Sequence, residues 1–77
     1  MAQDIYPIPG LPVWQNVERM SGAPCFAGTR VPVESLFENL EGGVSLNQYL
    51  EAFEGVTREQ AIAVLEHARR TIIRAAA

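Results

Sequence analysis

Apolar positions recur at two spacings along the chain, and the change falls near residue 32. Val13, Gln15 and Val17 share one face of an extended segment, and Trp14 and Asn16 share the other. That weak alternation has the two-residue period of a strand. The cluster Ser21-Gly22-Ala23-Pro24 reads as a turn. Cys25 and Phe26 resume the extended pattern, Ala27 and Gly28 break it, and residues 29–31 predict another short strand. Pro32 has no N–H for a ladder, so that strand lies at an edge or hands over to a helix. Beyond it the period becomes helical. Val33, Leu36, Phe37 and Leu40 form a first stripe, and Leu46, Tyr49, Leu50 and Phe53 a second. Ala61, Val64, Leu65, Ala68 and Ile72 form a third.

The ends of these helices are written in their flanking residues. A first helix starts at Pro32 or Val33, because proline suits a first helical turn, and Gly42-Gly43 stops it after Glu41. Ser45 with Gln48 three residues on makes a capping box, and Val44 is placed to staple onto Tyr49. Thr57 with Gln60 repeats the device, with Val56 and Ala61 as the staple. The third helix carries charge as far as Arg74, and its alanine tail is expected to fray. Glu54-Gly55-Val56 between the last two helices is the short glycine-containing corner of a helix-turn-helix. The fold class is therefore mostly α, with three helices behind a short N-terminal β-ribbon. Residues 1–12 hold Pro7, Pro9, Gly10 and Pro12 and form a flexible, extended arm, and residues 13–77 form the domain.

Size limits what this fold supplies to its own stability. A chain of 77 residues buries only about 60% of the surface its unfolded form exposes. Cys25 is the only cysteine, so no disulfide compensates, and oligomerisation is the expected support. Cys25 itself reads as a small buried hydrophobe. The chain lacks a run of the ~20 apolar residues that a membrane span needs and begins without the basic and apolar regions of a secretory signal. The expected location is cytoplasmic.

Charge is unevenly spread. Residues 1–56 carry seven carboxylates against Arg19 and Arg30, and residues 57–77 carry four arginines against Glu59 and Glu66. The first stretch is thus −5 and the second +2, giving the net −3. An acidic surface does not attract nucleic acid broadly, so any such contact is local. The candidates for DNA are Arg58, Arg69 and Arg70 on the third helix and Arg30 on the ribbon. In a helix-turn-helix the last helix enters the major groove. The competing reading makes these arginines a solvated face with pairs such as Glu66 with Arg70.

Protein partnership has its own candidates. Ile62 and Ile73 lie off the third stripe, and Val13, Trp14 and Val17 lie on the ribbon. Large apolar residues on an exposed flank mark an interface, and an open ribbon edge invites a second chain. These positions predict a symmetric homodimer through the ribbon, anchored by Trp14. The alternative for Trp14 is a lid over the protomer's own core. Catalysis is not expected: His67 is the only histidine, and no nucleophile–base pair, metal-ligand set or phosphate loop accompanies it. No cofactor is expected either.

With the elements in place, the chain resembles the bacterial and archaeal domain-of-unknown-function family 433, regarded as antitoxin-like. The resemblance is carried by Gly22-Ala23-Pro24-Cys25-Phe26-Ala27-Gly28-Thr29-Arg30-Val31-Pro32-Val33, then Leu40-Glu41-Gly42-Gly43-Val44-Ser45. It continues in Val56-Thr57-Arg58-Glu59-Gln60-Ala61 and Leu65-Glu66-His67-Ala68. The Gly-Thr-Arg-Val-Pro-Val run is its specific part. Phe53-Glu54-Gly55 departs from the tyrosine-proline turn usual there, and Ile62 and His67 depart on the third helix. The resemblance implies a homeodomain-like tri-helical domain and a type II toxin–antitoxin role. The implied partner is a ribonuclease-like, PIN-like toxin, and the family carries no catalytic residues; operator DNA is the second expected target, through the helix-turn-helix. The alternative function is a stand-alone helix-turn-helix transcriptional regulator.

Overall fold

The three helices and two of the three expected short strands form where the two spacings place them. A computed structural model describes residues 3–76. Met1 and Ala2 of the arm and Ala77 of the alanine tail lie outside the described residues. The elements are β1 (Val13–Trp14), β2 (Cys25–Phe26), α1 (Glu34–Glu41), α2 (Leu46–Ala52) and α3 (Arg58–Ala76). β1 and β2 pair antiparallel, with Val13 opposite Phe26 and Trp14 opposite Cys25. The architecture is mostly α, three helices behind a two-stranded ribbon.

Both outer edges of the ribbon are occupied by the chain itself. Ile5 exchanges two backbone hydrogen bonds with Gln15, each 2.8 Å, alongside β1. On the β2 side, Phe26 N–H donates to Val31 O at 3.0 Å and Val33 N–H to Pro24 O at 2.9 Å. The third strand expected over residues 29–31 is absent; only an isolated bridge of Cys25 with Pro32 forms. Pro32 is tolerated because it sits at a non-hydrogen-bonded position of that bridge, where no N–H is called for. The arm lies against the ribbon. Besides Ile5, Pro12 O accepts from Ala27 N–H at 2.9 Å, and Asp4 meets Arg19 at 3.2 Å.

Between the strands the chain turns left-handed. Met20 (φ 54°), Ser21 (φ 55°) and Gly22 (φ 78°) all have positive φ. Two L-residues in that region carry strain. Gln15 holds the turn from outside, its Nε2 donating to Gly22 O at 3.0 Å.

Helix starts follow the caps. Ser45 Oγ accepts from Gln48 N–H at 3.1 Å while Gln48 Oε1 accepts from Ser45 N–H at 3.0 Å. Thr57 and Gln60 make the same reciprocal pair at 3.1 and 3.0 Å. Gln60 does more than cap: its Nε2 donates to Ala27 O at 3.0 Å, tying α3 to the loop after β2. Only an amide serves here, because one end must accept and the other must donate. Gln60→Glu is expected to keep the box, set a carboxylate against the Ala27 carbonyl and cost about 1–3 kcal/mol, read from urea unfolding followed by circular dichroism.

The core is a single cluster of Val13, Phe26, Leu36, Tyr49, Val56, Ala61 and Val64, with Phe37, Leu40, Leu46, Leu50, Phe53 and Leu65 packed around it. Tyr49 and Phe53 stack with ring centroids 4.6 Å apart. Ile72, expected on the core stripe of α3, is instead 66% exposed. The helix outruns the body it packs on, so its apolar period continues past the last covering residue. It also holds through Ala76, where fraying was expected from Ala75 on; alanine is the best helix former.

Candidate functional site

The Gly28-Thr29-Arg30 loop is fastened from two sides. Gly28 takes φ 75°, a left-handed conformation that a Cβ disfavours. Thr29 closes the turn on Phe26 O with its N–H at 3.1 Å and its Oγ1 at 2.9 Å. The same Oγ1 accepts from Val31 N–H at 3.0 Å. Trp14 reaches in from β1, its Nε1 donating to Phe26 O at 3.1 Å and to Thr29 O at 2.7 Å. From the other side comes the α2–α3 corner. A Cβ on Gly55 would lie 3.2 Å from Thr29 Cγ2, so only glycine lets the corner approach this closely without displacing Thr29. With the Gln60–Ala27 bond, the loop that carries Arg30 is locked against the segment that opens α3.

The expected DNA residues therefore divide. Arg30 and Arg58 belong to two segments held together, although 28 positions separate them in sequence. Arg58 is exposed and donates to Asn47 Oδ1 of α2, which steadies its guanidinium at the corner. Arg69 and Arg70 lie eleven and twelve residues along α3, about 16–18 Å away at 1.5 Å per residue. Arg70 is bridged to Glu66 at 3.0 Å, the pair anticipated from their i, i+4 spacing.

The expected interface divides as well. Val13 and Trp14 are 3% and 4% exposed, so both are interior and neither offers surface to a second chain. Trp14 is buried within its own protomer, on the ribbon face opposite Val13, where its indole closes on the Gly28-Thr29-Arg30 loop. Its indole carries the Arg19 guanidinium 4.7 Å from the ring centroid, and Arg19 is in turn bridged to Asp4. Val17, Ile62 and Ile73 are exposed, together with Ile72.

A polar cleft of about 400 Å³ opens beside Trp14, between Asp4 and Tyr6 of the arm, Arg19, and the residues Gly28, Thr29 and Arg30. Arg19 was not among the sequence candidates. Its signal is a long-range one: Asp4 and buried Asn16 converge on it, Asn16 Nδ2 donating to Asp4 Oδ1 at 3.0 Å. Arg30 makes no ion pair among the described residues. The cleft thus presents one guanidinium bridged to Asp4 and one that makes no ion pair among the described residues.

Other groups with chemical potential are accounted for by structure. Cys25 is fully buried, its Sγ donating to Ala23 O at 3.5 Å. Burial pushes its thiol above the ordinary value, only partly offset by Arg19, so it remains protonated rather than nucleophilic. His67 is half-buried on α3. No group of three or more histidine, cysteine or acidic side chains converges as a metal site among the described residues. Nor is any described helix long and apolar enough to cross a membrane.

The curated proteins hold no match to this chain, and neither do the solved structures. The sequence pattern of one family does match. It is described as a protein of unknown function (DUF433), and it covers residues 13–68, from the first residue of β1 to Ala68 of α3. That span is well over half of the 77 residues and takes in the ribbon, the locked loop, all of α1 and α2 and the seated part of α3; the chain is a member of the DUF433 family.

Proposed function

We propose that this protein is the antitoxin-like partner of a type II toxin–antitoxin pair, a docking module without chemistry of its own. One observation carries the reading: the loop bearing Arg30 and the opening of α3 bearing Arg58 are locked together at the helix-turn-helix corner. Two cations from distant parts of the sequence are thereby carried on segments held against each other. Phosphates of operator DNA fit such a pair, with α3 directed at the groove. The toxin half of the proposal follows the antitoxin-like character of the resembling family. Exposed Glu51 and Glu54 on and after α2 suit the basic RNA-binding cleft of a ribonuclease-like toxin. A cytoplasmic location fits both partners.

The DNA arm is tested with a fragment of the chain's own promoter, titrated at several salt concentrations. Arg30→Ala and Arg58→Ala are each expected to weaken binding and to lower the salt slope by about 1. Binding insensitive to salt, or unchanged in both variants, overturns it. The toxin arm is tested by coexpression with the product of the adjacent reading frame. Relief of toxicity and loss of RNA cleavage in the purified complex are expected. Promoter affinity with no effect on toxicity would turn the assignment to the stand-alone regulator.

A further inference from the structure

With both ribbon edges filled by Ile5 and by residues 31–33, β-pairing leaves no place for a second copy, and α3 carries an apolar surface of its own. Residues 69–76 are all exposed and extend about 12 Å beyond the seated part of the helix. They carry Ile72 at 66% exposure, in line with Val64 and Ala68 at i+4 steps. Val64 and Ala68 line an apolar groove of about 340 Å³, closed by Ile8 and Leu11 of the arm and by Val33 and Phe37 at the start of α1. One molecule therefore bears both an apolar ridge without a socket and an apolar socket without a ridge.

Charge matches the same halves. Glu34, Glu38 and Glu41 are exposed on α1 beside Phe37, and α1 holds no basic residue. The overhang carries Arg69, Arg70 and Arg74 and no carboxylate. Arg70 is engaged by Glu66; Arg69 and Arg74 make no ion pair among the described residues.

We infer that the occupant of the groove is a second copy of this chain. Two α3 helices cross in opposite directions near Ala68, whose small side chain allows close approach. Ile72 of each copy enters the groove of the other, and Arg69 and Arg74 meet the α1 carboxylates across the rim. The arrangement is isologous, so a single two-fold axis satisfies both ridges and both sockets. It leaves the Arg30 and Arg58 end of each copy outside the contact, and it stands independently of whether DNA or toxin binds there.

Sedimentation equilibrium of the full chain tests it. Wild type is expected to be dimeric at micromolar concentration. Ile72→Asp should raise the dimer dissociation constant at least about tenfold while leaving the far-UV dichroism unchanged, since Ile72 makes no core contact. Arg69→Glu with Arg74→Glu should also dissociate the dimer. Mixing that variant with Glu34→Arg, Glu38→Arg protein should restore a heterodimer, because both rims regain opposite charges. A wild type that stays monomeric at the highest concentrations overturns the inference. So does an Ile72→Asp protein that remains as dimeric as wild type, or a charge-reversed pair that fails to associate.

Discussion

Trp14→Ala is expected to unfold the protein under conditions where wild type is folded. Trp14 is 4% exposed, and removing so large a buried side chain costs about 3–5 kcal/mol. A core of this size rarely supplies more than about 3–5 kcal/mol in total. The loss is compounded at Thr29 O, which takes the shorter of the two indole bonds at 2.7 Å. Phe26 O is better protected, since Thr29 N–H and Oγ1 also donate to it. Trp14→Phe keeps most of the packing but orphans the Thr29 carbonyl, and should cost about 1–3 kcal/mol. Urea titrations followed by far-UV circular dichroism read both variants, since fluorescence disappears with the indole. A Trp14→Ala protein with a near-native midpoint would remove Trp14 from its place as keystone. A folded but dissociated Trp14→Ala would return it to the interface that its burial now argues against.

Tyr49 gives the second large effect, and here packing and polarity separate cleanly. The ring is fully buried, and its hydroxyl lies 2.8 Å from Ser35 Oγ. Ser35 donates its single proton to Pro32 O at 2.7 Å, so the Tyr49 hydroxyl is the donor to Ser35. Burial pushes the phenol above its ordinary value, so it is neutral at physiological pH. Tyr49→Phe removes one hydrogen bond and leaves Ser35 bonded to Pro32; the expected cost is about 0.5–1.5 kcal/mol. Tyr49→Ala opens a cavity at the centre of the cluster and should cost about 3–5 kcal/mol, leaving the chain largely unfolded. Equal costs for the two variants in the same urea assay would show that the hydroxyl, and not the ring, carries Tyr49.

What was legible in the sequence was what depends on neighbours a few positions apart. Ser45 with Gln48 and Thr57 with Gln60 announce their helices because a capping box closes within four residues. The corner at Gly55 and the stop at Gly42-Gly43 are equally local. What escaped depends on distant partners. Trp14 lies in an exposed-looking ribbon until the loop twelve to fifteen residues later supplies two carbonyls for its indole. The arm looks free until Asp4 finds Arg19. Residues 29–31 have strand composition, yet Thr29 spends its hydroxyl closing a turn on Phe26. Ile72 keeps the helical period of the core although the core has already ended beneath it. Of the proposed contact residues, Arg30 and Arg58 stand out singly in the sequence as cations. Their association does not, because it rests on Gln60 reaching Ala27 and on the absence of a side chain at Gly55.

The clasp on the Gly28-Thr29-Arg30 loop also orders events in time. Its upstream half, from Trp14, leaves the ribosome long before its downstream half, from Gly55 and Gln60. A nascent chain emerged only through α2 contains both partners of the indole bonds but lacks the second jaw, and its core still wants Val56, Ala61 and Val64. Closure waits for the first two turns of α3, and residues 69–76 follow it, exposed throughout and tied back by the Arg70–Glu66 bridge.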